Sequence, residues 1–302
     1  PDMRPLFMLT TELISIPTGF IYLVAMGTFW KAKLRLNTPL LFAMGMYVNF
    51  LFGGISGVFL SDVPADTTAH GSFFVMAHFH YTIMGGLIFA FFGGLYYWLP
   101  KFMGITLNER LGKIHFWTMF ITFNSTFMPL FAVGMLGQPR RVFEYARNLQ
   151  TLNDWVSISA FCLGASLLIF IYNFVMSTVI WRKRAPQNPW QARGLEWQIP
   201  SPPPPDNFAV VPVVLAGPYE YGDPDALPVA DLNPPAGVIG GALTGAPVFG
   251  PATAVSGTGT PASGAGASGS GTAASGSSAS APGAGASPPP PEPTSPPSGT
   301  ET

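Results

Sequence analysis

Cysteine is almost absent from this 302-residue chain; Cys162 stands alone. A single thiol excludes an intrachain disulfide framework and a thiolate metal site. In its apolar run Cys162 reads as a small packing residue. Charge is also scarce. Asp, Glu, Lys and Arg make up 10% of the chain, against about a quarter in soluble domains. The net charge is −1. No basic patch of the kind that tracks phosphates is present, which argues against nucleic-acid binding. Beyond Arg193 there is no Lys or Arg at all. No Met stands first, and residues 1–11 lack the basic start and cleavage site of a signal peptide. The expectation is the back part of something longer, or a processed or split half.

Apolar residues are plentiful, at 48%. Five apolar runs, near 6–30, 38–61, 72–99, 114–136 and 153–181, each suffice to cross a bilayer core, which takes about 20 helical residues. Together they predict an all-α transmembrane bundle over residues 1–190. Gly53-Gly54, Gly85-Gly86 and Gly93-Gly94 suit close helix contacts in lipid. The segments WKAKLRLN (30–37), 101–113 and WRKR (181–184) are basic and follow spans one, three and five. By the positive-inside rule that side is the cytoplasm. The other side receives SDVPADTTAH (61–70) and the loop 137–155, where Arg140 and Arg141 break the rule. Two arginines on that side read as forked donors for carboxylates at the membrane surface.

The string AHFHY (77–81) lies inside the third run. At about 100° per residue, His78 and His80 project roughly 200° apart. One metal takes two helical ligands at i,i+3 or i,i+4 spacing, not at i,i+2. Two imidazoles back to back point to two metal centres with the helix as the wall between them. A helix diameter of separation is close enough for fast electron transfer. Intramembrane histidine is rare and by default functional.

After Trp190 the chain changes character. Residues 191–234 read as an extended cytoplasmic surface segment, polyproline-like at Pro202–Pro205. Residues 235–302 are a Gly/Ala/Ser/Pro tract that cannot bury enough apolar surface to offset chain entropy, and the expectation is disorder.

The run HGSFFVMAHFHYTIMGG (70–86), followed by YYWLPKFMG, NERLGKIHFW and GQPRR, resembles the back portion of haem–copper oxidase subunit I. IPTG (16–19), LEW (195–197) and SPPPPDNF (201–208) resemble that family too. The resemblance covers roughly residues 1–208 and implies the last five helices of a twelve-helix subunit. It implies that His78 is the proximal ligand of a high-spin haem and His80 an axial ligand of a low-spin haem, with Phe79 between the haem edges. Arg140 and Arg141 match a pair at the haem propionates, and Asp66 matches an aspartate near the high-spin haem propionates. His70 matches a magnesium ligand. Gly71 stands where many members carry a second, carboxylate ligand, which weakens that site because magnesium demands oxygen ligands. His115 receives no ligand role and reads as structural.

The second low-spin haem ligand and the three copper ligands of the family belong to helices outside this chain. The resemblance therefore implies half of a site. It carries two haems, a-type by this reading, completed by a missing N-terminal half, with copper held there. A copper-bearing subunit II, a subunit III and cytochrome c are the implied partners, and the implied place is a bacterial cytoplasmic membrane with the tail in the cytoplasm. The activity implied is oxygen reduction to water coupled to proton movement. The alternatives are a quinol oxidase or nitric oxide reductase relative, or a truncated, non-catalytic membrane scaffold.

One departure concerns protons. The family's lysine, three residues after the Thr of the PTG motif, is Ile21 here. Glu12, Ser15, Thr18 and Tyr22 fit an arc of roughly 120° on the first span. They are the candidate replacement route, with protons entering past Tyr22 and moving by Thr18 and Ser15.

Overall fold

The computed structural model describes residues 3–217, 219 and 225–232. The tract 235–302 lies outside the described residues. Five helical stretches have the length and apolar character to cross a membrane: Arg4–Phe29, Thr38–Ser61, Phe73–Met103, Glu109–Met135 and Arg147–Trp181. The architecture is an all-α bundle with one two-residue antiparallel pair, Val213–Val214 with Ala230–Asp231.

The first span is two helices, α1 (Arg4–Leu13) and α2 (Ser15–Phe29), joined at Ile14. Pro17 supplies the reason: it has no N–H for the Leu13 carbonyl, and its ring crowds that carbonyl. The second span is α3 (Thr38–Ser61), followed by the short α4 (Val63–Ala69). The third is α5 (Phe73–Thr82), a π-helical turn Ile83–Ile88, and α6 (Phe89–Met103). Ser72 caps α5 by accepting from the Phe74 N–H. The fourth, α7, starts at Glu109 rather than near residue 114, because the Asn108 side chain accepts from the N–H groups of Arg110 and Leu111. The fifth is α8 (Gln150–Val175) with a π-helical end, Met176–Trp181.

The core lies between α3, α5, α6, α7 and α8 and is largely aromatic. Phe42 on α3 stacks on Tyr96 at 5.7 Å and meets Phe116 edge-on at 5.2 Å. Phe123 packs on both Tyr81 and Phe89. Leu163 carries α8 into the same cluster. Gly134 lets α7 meet the start of α5, since a Cβ there would fall on the Phe74 backbone. Cys162 corrects the sequence expectation: it lies exposed on α8 rather than packed in the core. Apolar side chains run all round α8, and its buried face is the one that carries Asn153, Ser159, Ser166 and Asn173 with Leu163, which the apolar run alone did not disclose.

Backbone bonds tie the ends of the bundle. At one end the Phe73 N–H donates to the Gln138 carbonyl at 3.1 Å and the Arg140 N–H to the Gly71 carbonyl at 2.9 Å. Gln138 and Asn153, both buried, exchange amide hydrogen bonds at 3.0 and 2.9 Å. At the other end the Thr106 N–H donates to Lys183 and the Ala185 N–H to Gly104. Gly104, at φ +65°, closes α6 in the left-handed conformation. The Thr38 N–H there donates to Glu109 Oε1 at 2.7 Å. The three basic segments therefore gather at one end.

The chain after Trp181 is held against that basic end. Lys101 is buried, and its Nζ donates to the carbonyls of Ile199 (2.7 Å), Gln187 (3.2 Å) and Pro200 (3.4 Å). It also lies 5.0 Å from the centre of the buried Trp197 ring. Trp190 Nε1 donates to the Tyr97 carbonyl at 2.9 Å. Lys101→Met removes the cation and orphans these carbonyls, weakening the docking of 187–200 by about 2–4 kcal/mol. Hydrogen exchange should then accelerate in 187–200 while α5 and α7 keep their protection; unchanged exchange there would show that the clamp does not hold the segment.

Candidate functional site

The two histidines project from α5 to different neighbours. His78 faces α3. Its Nδ1 lies 3.1 Å from the Gly53 carbonyl and 3.0 Å from Ser56 Oγ. Ser56 donates to the same carbonyl at 2.9 Å. The carbonyl can only accept, so Nδ1 carries the proton and the Nε2 lone pair is left available. Gly57 makes the room: a Cβ there would lie 3.0 Å from His78 Cε1. His80 faces α7. Its Nδ1 donates to the Met76 carbonyl at 2.7 Å. Its ring stacks on Phe127 at 4.1 Å and 16°, with the Phe79 ring 4.3 Å away. Nε2 of both histidines has no hydrogen-bond partner among the described residues.

This is how imidazole is prepared for a metal. One nitrogen is held by a carbonyl, which fixes the tautomer and orients the ring, and the other keeps its lone pair. Both rings are half-buried in apolar surroundings. The residues present therefore fit two haem irons, one on each side of α5. They do not complete a copper site. Among the described residues no three His, Cys, Asp or Glu side chains gather as a metal-binding group. His115 is fully buried, with Nδ1 3.2 Å from the Tyr96 hydroxyl and its ring among Phe42, Phe92 and Phe170.

Arg140 and Arg141 follow the Phe73–Gln138 bond, so they stand at the same end as the start of α5. Arg140 is half-buried and Arg141 exposed. Neither guanidinium has an ion-pair or hydrogen-bond partner among the described residues. Arg141 sits at φ +66°, a left-handed conformation that costs a non-glycine residue about 1–2 kcal/mol. Asp66 and His70 share a face of α4 and its C-terminal cap, with Oδ1 and Nδ1 3.2 Å apart. Their side chains are 41% and 70% exposed, and Gly71 contributes only a backbone carbonyl, already taken by Arg140. A solvated pair with no further carboxylate does not fit magnesium, which demands near-octahedral oxygen coordination.

The first-span residues are less close. Glu12, Thr18 and Tyr22 are half-buried and Ser15 is exposed. Ser15 and Thr18 donate to the carbonyls of Glu12 and Ile14. Tyr22 donates to the Tyr47 carbonyl of α3 at 3.1 Å. This span packs on α3 and α4. A groove of about 850 Å³ at the basic end, bordered by Lys31, Arg35, Trp98 and Trp190, does not include the histidines.

Sequence reasoning did not find Ser56, Gly57, the Gly53 carbonyl or Phe127. The signal available was a serine among glycines, GGISG (53–57), in an otherwise apolar span. A face of small residues leaves room for a bulky neighbour, and a lone hydroxyl in it needs a partner.

The family described as cytochrome C and quinol oxidase polypeptide I matches residues 1–162. Cytochrome c oxidase subunit 1 of Synechocystis sp. is 43% identical over 220 residues, covering 73% of this chain and 40% of that protein. A putative cytochrome c oxidase subunit 1-beta of Streptomyces avermitilis is 45% identical over 215 residues, covering 70% and 38%. A solved heme-copper terminal oxidase dimer shares the fold, with a TM-score of 0.52 at 16% identity over 58% of this chain and 36% of that one. The chain thus spans about two fifths of the length of the curated relatives it matches. It is a multi-pass membrane protein by its five apolar helices, and it belongs to the subunit I family of haem–copper oxidases.

Proposed function

We propose that this chain is the C-terminal part of the catalytic subunit of a respiratory terminal oxidase. In this reading it reduces oxygen to water with electrons from cytochrome c and couples this to proton movement across a bacterial cytoplasmic membrane. The basic end, with the tail, faces the cytoplasm. The observation that carries the reading is α5, with two carbonyl-anchored imidazoles on opposite sides and both Nε2 atoms open. The family covers quinol as well as cytochrome c oxidases. Relatives named cytochrome c oxidase favour cytochrome c as donor.

His78 would hold the high-spin haem and His80 the low-spin haem. Haem and copper, when bound, supply the redox chemistry, and the protein supplies ligation, orientation and field. Anchoring of Nδ1 fixes each imidazole's tautomer and orientation and makes Nε2 strongly donating. Phe79, whose ring lies 4.3 Å from that of His80, would sit between the haem edges. Arg140 and Arg141 would pair with propionates, which explains two unpartnered guanidiniums on the outer side. Asp66 would lie near the high-spin haem propionates. The remaining ligands, copper's included, would come from the missing N-terminal half of the subunit, with a copper-bearing subunit II and subunit III completing the assembly.

Proton delivery along Tyr22, Thr18, Ser15 and Glu12 is part of the same reading. Ile21 cannot carry a proton, whereas these four polar groups of the first span fall within that arc. Ordered waters would bridge hydroxyls that now bond to their own helix.

In the assembled complex, His80→Ala should abolish the low-spin haem spectrum and leave high-spin haem; His78→Ala should do the reverse. Optical and EPR spectra decide, and loss of the same haem from both variants sinks the assignment. Arg140→Gln or Arg141→Gln should lower a haem midpoint potential by an amount on the order of tens of millivolts, because nearby positive charge favours the reduced form. Redox titration checks this; unmoved midpoints in both variants would make the pair ordinary surface arginines. Tyr22→Phe and Thr18→Val should slow reduction of the high-spin haem far more than that of the low-spin haem. Stopped-flow traces with near-native rates for both would remove the route.

A further inference from the structure

Tyr81 follows His80 directly and is fully buried. Its hydroxyl donates to Asn124 Oδ1 on α7 at 2.9 Å. Asn124 Nδ2 donates to Asn49 Oδ1 on α3 at 3.1 Å and to the Phe120 carbonyl at 2.9 Å. Asn49 is itself fully buried. Three polar side chains thus link the third, fourth and second spans inside an aromatic core.

Stability alone does not account for this network. The Asn49 Nδ2 group is buried and has no hydrogen-bond partner among the described residues. An orphaned amide donor in an apolar interior is a net cost, and an apolar side chain of similar shape would avoid it. Polar groups kept at such a cost often specify one arrangement among several.

The arrangement in need of specification is the rotation of α5. That helix runs straight into the π-helical turn Ile83–Ile88. A π turn replaces i→i−4 bonds by i→i−5 bonds and offsets the angular phase of α5 from that of α6, and side-chain contacts to other spans help to hold that setting. Asn49 touches this turn as well, since a Cβ on Gly85 would lie 2.8 Å from Asn49 Cβ. The tyrosine hydroxyl projects about 100° from His80 and about 300° from His78 around the axis. An atom about 6 Å from that axis moves about 1 Å for a rotation of about 10°, and errors of that size matter at a reacting centre.

We propose that Tyr81, Asn124 and Asn49 form a positioning network. It fixes the rotational register of α5 and so the directions in which His78 and His80 present Nε2. The proposal rests on the haem reading given above. None of the three side chains is assigned as a ligand; they act through the histidines.

The test uses the assembled complex with Tyr81→Phe, Asn124→Leu, Asn49→Leu and, as reference, His80→Ala. Tyr81→Phe keeps the ring contacts with Phe123 and Phe131, so packing is preserved and only the hydroxyl is lost. The readout is the low-spin haem EPR signal, which responds to imidazole orientation. Expected are retained haem content, a shifted low-spin g value and a broadened line in Tyr81→Phe and Asn124→Leu. Asn49→Leu should shift less, because the Tyr81–Asn124 bond remains. Wild-type line position and width in Tyr81→Phe and Asn124→Leu, with the signal lost in His80→Ala, overturns the positioning network alone. Persistence of the signal in His80→Ala overturns the haem reading, and the proposal with it. Should Tyr81→Phe fail to assemble, Asn49→Leu decides by the same criterion: a shifted line supports the network and an unshifted one overturns it.

Discussion

Two imidazoles separated by one residue cannot share a face of a helix, and most of the architecture around α5 answers to that constraint. Each ring needs its own neighbour, its own acceptor for Nδ1 and its own open direction for Nε2. On the α3 side the answer is small residues. Gly57 admits the ring and the Gly53 carbonyl receives its proton. On the α7 side the answer is aromatic. Phe127 stacks on His80, whose proton goes to the Met76 carbonyl of its own helix. The two sides solve the same problem with different materials, which gives the two irons of the proposed reading different surroundings.

Membrane helices normally satisfy their backbone internally and offer lipid nothing polar. This bundle spends its exceptions at two levels. In the interior they lie around α5, with Ser56, Tyr81, Asn124 and Asn49, and between α6 and α7, with Tyr96 and His115. At the ends they bind the loops: Gln138 with Asn153 on the arginine side, and Lys101 with the carbonyls of 187–200 on the basic side. The arginine pair is placed by backbone bonds to residues 71–73 and not by contacts of its own side chains. In the proposed reading, that leaves both guanidiniums to meet the haem propionates.

The sequence made the spans and the histidine pair legible because both are local properties. Apolar run length marks a membrane helix, and i,i+2 spacing alone sets the two rings on opposite sides. Arg140 and Arg141 were legible as exceptions to the charge rule. What the sequence concealed was rotational. Apolar side chains surround α8 while its inward face carries Asn153, Ser159, Ser166 and Asn173, so Cys162 read as a packing residue and lies exposed, and Phe127 looked like any other core phenylalanine. The break at Ile14 was written in Pro17 but masked by the continuous apolar run. The clamp by Lys101 depends on carbonyls far along the chain, which no local pattern encodes. Asp66 and His70 were legible one by one through the family resemblance, while their contact at 3.2 Å was not drawn from the sequence.

The central claim is that one helix separates two irons, each bound by Nε2 of its own histidine. An experimental density map of the chain assembled with its N-terminal half and haem tests it most directly. The account predicts iron at bonding distance, about 2.0 Å, from His78 Nε2 on the α3 side and a second iron at the same distance from His80 Nε2 on the α7 side, the range typical of metal–imidazole bonds. A single iron, two irons on one side of α5, or ligation through Nδ1 would contradict it.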